Sequence, residues 1–384
     1  MIFSDKRKKR DSLFFLLILV ISLIIFFLPS PIKVNNNKNT LRGRATVLSV
    51  DNSEVAQFGI VKTGEQSLIV KMLNTDFKGQ EISAVNTLMG KLEFDKIFTE
   101  NDTVLVTLNL SSDNKEILFG NVVDHYRINL EVILFVLFLS LLVIYSGWTG
   151  LRAIISFIFT GLMIWKVLIP GFLLGISPIL LSNSVVALFT AVIIFLIAGF
   201  NRTGVNAFVS ALSGIIVTTV LALIFGSLFK VHGAVKPFTE MLLYAGYPHL
   251  DITSIFLSGI FIASSGAVMD ISMDISASMK EVLEKKPNIS HRELFLSGVK
   301  VGRAVIGTMT TTLLLAYSGG YTGLLMVFMA QGTPALNILN LNYVSAEILH
   351  TLVGSFGLVT VAPLTAFLGS FILLYDRKKK NIDV

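Results

Sequence analysis

Eight long apolar stretches most constrain how this 384-residue chain can fold. A helix needs about 20 apolar residues to cross the hydrocarbon core of a bilayer, and most of these stretches approach that length. Only 15% of the residues are charged, against about 25% in an average soluble domain, and mean hydropathy is +0.75. The composition therefore excludes an ordinary soluble enzyme, a disordered chain and a fibrous repeat. The predicted crossings are residues 13–28, 128–145, 153–169, 184–200, 205–229, 252–273, 301–317 and 347–374.

The first crossing follows five basic residues at positions 6–10. It is either a cleaved signal peptide or a permanent anchor. No small-x-small cleavage pattern follows it in Pro29-Ser30-Pro31, and the apolar run is longer than a usual signal core, which favours the anchor.

Residues 30–127 have a different composition from the rest of the chain, with 11 Lys and Arg against 12 Asp and Glu. Short runs of alternating apolar and polar residues recur there, which is typical of half-buried strands. Asn35-Asn36-Asn37 is expected to form a linker. We predict a small extracytoplasmic β-barrel or sandwich between the first and second helices. The predicted strands are residues 45–50, 67–72, 104–110 and 117–123.

The whole chain is thus predicted to be an all-α polytopic membrane bundle of about eight transmembrane helices with one β-domain. The parts are a basic N-terminus with its anchor (1–29), the β-domain (30–127), a seven-span domain (128–376) and a basic tail (377–384). Loops assigned to the cytoplasm hold 17 Lys and Arg, and the outer loops of the seven-span domain hold three. This asymmetry predicts that both termini lie on the cytoplasmic side of the membrane. The basic ends indicate contacts with anionic lipid and no nucleic-acid site.

Charged side chains inside membrane spans are costly and mark functional sites by default. The candidates for an ion-coupling site or substrate path are Asp270, Arg303, Glu347 and His350, with Asp274 weaker. An Asp270–Arg303 ion pair is sterically reasonable, and Asp270 has either that structural role or a transport role. Asp274 lies near the cytoplasmic face, where an interfacial role competes. Glu347 and His350 share one helical face, and snorkelling to the outer interface is the alternative there.

Residues 324–330 form an apolar run too short to cross the bilayer, followed by Gln331-Gly332-Thr333-Pro334. The run is either a re-entrant half-helix beside protein or water, or an amphipathic surface loop. Gln331 is a weaker path candidate on the first interpretation.

Motifs for catalysis and cofactor binding are missing from the sequence. It has no cysteine, no Gly-x-Ser-x-Gly, no His-Glu-x-x-His and no phosphate-binding glycine-rich loop. His232 and His249 lack metal-ligand spacing. We therefore expect no enzyme activity, catalytic residue, cofactor or metal site. Transport, if present, is secondary or needs a partner ATPase.

Two stretches of the spans carry a longer pattern: Gly266-Ala267-Val268-Met269-Asp270-Ile271-Ser272-Met273, continued by Ile275-Ser276-Ala277-Ser278-Met279-Lys280-Glu281, and Gly307-Thr308-Met309-Thr310-Thr311-Thr312-Leu313-Leu314-Leu315-Ala316-Tyr317. They resemble the YibE/F-like membrane proteins of bacteria, and the resemblance covers about residues 41–374. It implies a location in a bacterial cell membrane, an anchor, an outside domain and a seven-span bundle, with transport as the usual suggestion. It also implies a companion membrane protein of the same family as partner. Asp274 departs from the pattern, which has a small or neutral residue there.

Two functions are compatible with these sequence features. The first is a secondary permease or exporter of a small molecule or ion, with Asp270 as the coupling carboxylate. The alternative is a non-transporting scaffold or sensor whose β-domain binds an extracytoplasmic ligand or envelope partner. The first predicts a polar cavity that reaches Asp270 between spans, and the second predicts a dry bundle.

Overall fold

The computed structural model describes residues 2–29, 31–32, 39–111 and 116–374, with side chains from Lys9 onward. The predicted linker at Asn35-Asn36-Asn37 and the predicted basic tail at 377–384 lie outside these residues. The described residues divide into two compact units, one within residues 33–141 and the other within residues 1–32 and 142–384.

The first unit is built around a closed five-stranded β-barrel. Strand β1 pairs with β5 on one side and with β3 on the other, so the sheet closes on itself. The β4–β6 pairing is parallel, and β2 forms a hairpin on β3. The predicted strands lie within β1, β3, β5 and β6, and a barrel is confirmed. The strands are β1 (Thr40–Asp51), β2 (Val55–Phe58), β3 (Val61–Met72), β4 (Glu81–Met89), β5 (Thr103–Leu110) and β6 (Ile117–His125).

The barrel has its own core, filled by the inward-facing residues of alternating strands. Val47, Val70 and Val106 are fully buried. Gln66 is buried among them and donates to the Phe98 carbonyl at 2.9 Å, and the buried Asn86 donates to Gln66 Oε1 at 3.1 Å. Both buried amides thus have their hydrogen-bond partners inside the domain, as buried polar groups in folded domains generally do.

The isolated fragment 41–126 is therefore expected to fold as a monomer. A closed sheet leaves no long unpaired edge to drive association. Circular dichroism should show β-structure and a cooperative thermal transition. A random-coil spectrum would mean that the barrel needs the membrane helices to fold.

Acid should destabilise this barrel through Asp124. Partial burial alone would raise the pKa of Asp124, but hydrogen bonds from Lys96, the His125 backbone and Arg127 hold the pKa below its usual value. A carboxyl group with a lowered folded-state pKa stabilises the protein above its unfolded pKa, about 3.9, and this stability is lost as pH falls below that value. Replacing Asp124 with Asn should flatten the pH dependence of the melting temperature between about pH 5 and pH 2. An unchanged slope in the variant would contradict this role.

Seven helices among the described residues are long and apolar enough to cross a membrane. One of these stretches, Ile128–Leu173, has 46 residues, about 69 Å of helix, which is twice the thickness of a hydrocarbon core. It is broken at Gly147, with φ of 54° and ψ of −126°, where the sequence predicted a turn between two crossings. A Cβ on Gly150 would lie 2.5 Å from the Leu142 carbonyl oxygen, so the chain folds back there.

The helices are α1 (Ile2–Phe27), α2 (Ile128–Met163), α3 (Ile169–Leu173), α4 (Pro178–Ile197), α5 (Arg202–Leu228), α6 (Thr239–Tyr244), α7 (Ile252–Lys285), α8 (His291–Ser318), α9 (Thr322–Ala330), α10 (Ala335–Asn340) and α11 (Asn342–Ile372). A π-helical segment, Ile164–Leu168, joins α2 to α3. Short 3-10 turns precede α6 (Gly233–Val235) and α9 (Gly319–Tyr321).

Helices α5, α7 and α11 form the centre of the bundle, and α8 packs against α7 and α11. Glycines allow the close approach: a Cβ on Gly214 of α5 would lie 3.0 Å from side-chain atoms of both Val268 and Val361. Small residues at helix interfaces bring backbones together where lipid supplies no hydrophobic driving force. Helix α11 continues through Pro363 as one element.

Candidate functional site

A charged and aromatic cluster lies where α11, α8 and the segment before α6 meet. Glu347 of α11 forms an ion pair with Lys236, which follows the Gly233–Val235 turn. The hydroxyl of Tyr321, in the 3-10 turn between α8 and α9, donates a 2.6 Å hydrogen bond to Glu347 Oε1. Lys236 Nζ donates to the same hydroxyl at 3.3 Å and lies 5.7 Å from the ring centroid of Phe256. One carboxylate oxygen thus holds a cation and a phenol.

His350 lies one helical turn from Glu347 on α11. Its Nδ1 is 3.9 Å from Glu347 Oε2, and its ring stacks on Tyr317 with centroids 4.3 Å apart. Within the described part of the chain, both His350 ring nitrogens and the Tyr317 hydroxyl are buried without a hydrogen-bond partner. Buried polar groups without partners indicate a bound water, an ion or a ligand, or a functional role.

The Glu347 carboxylate and the His350 imidazole are well shielded from solvent. The side chains of Glu347 and His350 are 13% and 12% exposed, and that of Lys236 is 33% exposed. A charge this buried is stable only when it is paired and hydrogen-bonded. The Glu347 carboxylate has such partners in the ammonium of Lys236 and the hydroxyl of Tyr321.

Two cavities meet at the cluster. The outer cavity, about 550 Å³, is bordered by Lys236, Glu240 and Tyr321. The inner cavity, about 230 Å³, lies between α8, α9 and α11 and is bordered by Tyr317, Tyr321 and Glu347. Tyr321 borders both, so the hydrogen-bonded Lys236–Tyr321–Glu347 group stands between them. The rest of the inner wall is mostly apolar: Leu314, Leu325, Val344, Ile348 and Leu352.

Local sequence explains how these groups come together. Spacing of three residues places Glu347 and His350 on one face of α11. Gly233 begins the turn before α6 and allows this turn to pack against the first residues of α7. A Cβ at position 233 would lie 1.8 Å from the Ile252 carbonyl oxygen, so only glycine fits this close approach. Lys236 follows three residues later, so this close approach fixes the position of the ammonium group.

The α7 and α8 candidates lie elsewhere. Asp270, Asp274 and Arg303 are exposed, and the described residues contain no ion pair between Asp270 and Arg303, so that pairing is not formed. Gly302 is the α8 residue that packs against Ile275 of α7, and a Cβ there would lie 3.2 Å from the Ile275 side chain. Arg303 is the next residue on α8 and therefore points about 100° away from that contact. On α7, Asp270 lies about 7.5 Å along the helix axis from Ile275.

Gln331 is exposed just after α9. Helix α9 contains no buried residue, so the described chain does not enclose it in the way that a re-entrant helix requires.

Sequence reasoning did not select Lys236, Tyr321 or Tyr317. Lys236 is one of the three basic residues counted in the outer loops, and the two tyrosines flank the end of an apolar run. The signal for Lys236 in the sequence was Glu347 itself. A carboxylate inside a span needs a cation as its partner, and the outer loops contain few lysines that could provide one.

The fold and the cluster define a polytopic membrane protein that carries an N-terminal β-barrel domain. Residues 134–374 match the YibE/F-like protein family, and residues 42–125 match the YibE/F family N-terminal domain. The chain belongs to the YibE/F-like family, as its two sequence stretches predicted. No curated protein and no solved structure matches it.

Proposed function

We propose that this protein is a secondary permease or exporter whose coupling site is the Lys236–Glu347–His350 cluster. The observation that carries the proposal is the partly buried ion pair of Glu347 and Lys236, each of which borders a cavity, beside an imidazole without hydrogen-bond partners among the described residues. Ionisable groups inside a helical bundle that border cavities are typical of ion pathways and proton relays. A carboxylate and an imidazole 3.9 Å apart can bind one cation between them, and imidazole is the side chain whose ordinary titration range suits proton transfer near neutral pH.

The coupling carboxylate favoured from sequence was Asp270, and the geometry favours Glu347 in its place. Asp270 borders neither of the two cavities at the cluster, and its own side chain is exposed. Glu347 has a cation, a phenol and an imidazole within reach, which gives it alternative partners during a transport cycle.

The test compares ion and metabolite contents of cells that lack the protein with those of cells that carry wild type, Glu347→Gln or Asp270→Asn. Wild type should change the content of a definite solute or ion, and Glu347→Gln should lose that change at equal protein abundance. Glu281→Gln, on the exposed end of α7, is the matched control and should behave as wild type. An unchanged solute profile in wild type would remove the transport function, and loss in Asp270→Asn alone would move the coupling site to α7.

The proposal includes an orientation in the bacterial cell membrane, with both termini cytoplasmic and the barrel outside, supported by the 17 basic residues of the inner loops. A reporter that is active only in the cytoplasm should work when fused after Val384 and should fail when fused after Asn86. Activity at Asn86 would reverse the orientation.

A further inference from the structure

The junction of the two cavities presents one cation and one anion that already neutralise each other. Lys236 borders the outer cavity, Glu347 borders the inner one, and Tyr321 borders both. A ligand that reaches this junction must replace the contact between the two side chains. The chemistry of the ligand therefore follows from what each side chain needs once the pair opens.

A ligand with a single charge cannot satisfy both partners. An anion would hold Lys236 and leave the Glu347 carboxylate buried without a cation, and an amine would leave Lys236 without an anion. Removing one partner from a buried ion pair is strongly unfavourable. A zwitterion supplies both opposite charges and keeps the net charge of the junction at zero.

The inner cavity sets the shape of the remainder of the ligand. Apart from Glu347 and the two tyrosines, its wall is lined mostly by leucine, isoleucine and valine side chains, with Ser318 and Thr351 among them. At about 230 Å³ it is smaller than the roughly 300–1,000 Å³ typical of sites for drug-sized ligands. It suits one apolar substituent of modest size.

We propose that this junction binds a small zwitterion with one apolar substituent, of which an apolar amino acid is the simplest example. Its anionic group contacts Lys236 and the Tyr321 hydroxyl, its ammonium group contacts Glu347, and its apolar group fills the inner cavity. Tyr317 borders the same cavity, and its hydroxyl has no hydrogen-bond partner among the described residues. This inference rests on the proposed function, since it names the substrate class of that site.

The same chemistry has two sources: a free solute, or the ethanolamine headgroup of a membrane phospholipid. Both carry an ammonium and an anionic group on one molecule. They differ in access, because the solute enters from water and the lipid enters from the bilayer. The binding experiment therefore includes one probe of each kind.

The probes for the solute are L-phenylalanine, 3-phenylpropionate and 2-phenylethylamine, which share a ring and carry both charges, the anion alone or the cation alone. The probe for the lipid is dihexanoyl phosphatidylethanolamine below its micelle concentration. Titration calorimetry with the purified full-length protein should show saturable binding of L-phenylalanine, with each single-charge analogue at least tenfold weaker. Binding of the short-chain lipid alone would assign the site to a headgroup and retain the zwitterion.

Variants assign each charge to its residue. In Lys236→Gln, phenylalanine should lose its advantage over phenylethylamine, and in Glu347→Gln it should lose its advantage over phenylpropionate. The Lys286→Gln variant, at an exposed ion pair with Glu293, should bind as wild type. If the cluster variants fail to fold, the wild-type comparison still decides the inference.

Absence of binding by both zwitterions, or a single-charge analogue that binds as tightly as phenylalanine, would overturn the ligand class. The proposed transport function would still hold after such a result if Glu347→Gln abolishes the change in the ion or metabolite contents of cells. Conversely, zwitterion binding without any effect on cell contents would keep the site and remove transport.

Discussion

Replacing Lys236 by glutamine is expected to lower the free energy of unfolding by about 3 kcal/mol, because it leaves the Glu347 carboxylate buried without its cation. The carboxylate would keep only the phenolic hydrogen bond from Tyr321, and His350 is 3.9 Å away. Lys236 is one-third exposed, so the expected cost lies at the lower end of the range for buried pairs. The measurement is denaturant-dependent unfolding of the protein in mixed micelles.

The double variant Lys236→Gln with Glu347→Gln should recover most of this loss, since both charges are removed and the glutamine at 347 still accepts a hydrogen bond from Tyr321. Lys286→Gln is the control, because Lys286 and Glu293 form an exposed ion pair worth at most about 1 kcal/mol. If Lys236→Gln costs no more than Lys286→Gln, the Glu347 carboxylate is not a buried charge that depends on Lys236.

Replacing Gly233 by alanine should destabilise the protein by about 3 kcal/mol, the upper end for overpacking. The added Cβ would lie 1.8 Å from the Ile252 carbonyl oxygen and 2.8 Å from the Thr253 nitrogen, and these are backbone atoms that cannot rotate aside. The turn would have to move away from the start of α7 and carry Lys236 with it. The change should therefore appear both in thermal stability and in any ligand binding that depends on the Lys236–Glu347 pair.

Gly266→Ala is the matched control, because the space around a Cβ at that position of α7 is open to at least 4 Å. Alanine in a helix interior is favoured over glycine by roughly 0.5–1 kcal/mol, so this variant should be equal to or slightly more stable than wild type. Equal melting temperatures for Gly233→Ala and Gly266→Ala would show that the turn is not held against α7 in the membrane.

The number and kind of elements follow from local pattern. Length and hydropathy are enough to identify a membrane span, since the bilayer sets the number of apolar residues required. The alternation within residues 67–72 identified β3 because every second residue enters the core. The β4 strand was missed although it also alternates, since its inward residues include Asn86, which is buried as an amide bonded to Gln66 and to the Lys96 carbonyl at 2.7 Å.

The sequence by itself determined the membrane spans, most of the strands and the costly residues inside the spans, because these depend on residues near one another along the chain. Only the tertiary structure decided which of them meet. Helical periodicity gives the faces of each helix but not the neighbours of those faces. Asp270 and Arg303 were therefore paired only because they lie at similar depth in the membrane, and the helix packing does not bring them into an ion pair. Glu347 instead meets Lys236, 111 residues away, because a glycine allows one turn to lie against α7 and α11 brings its carboxylate to the same place.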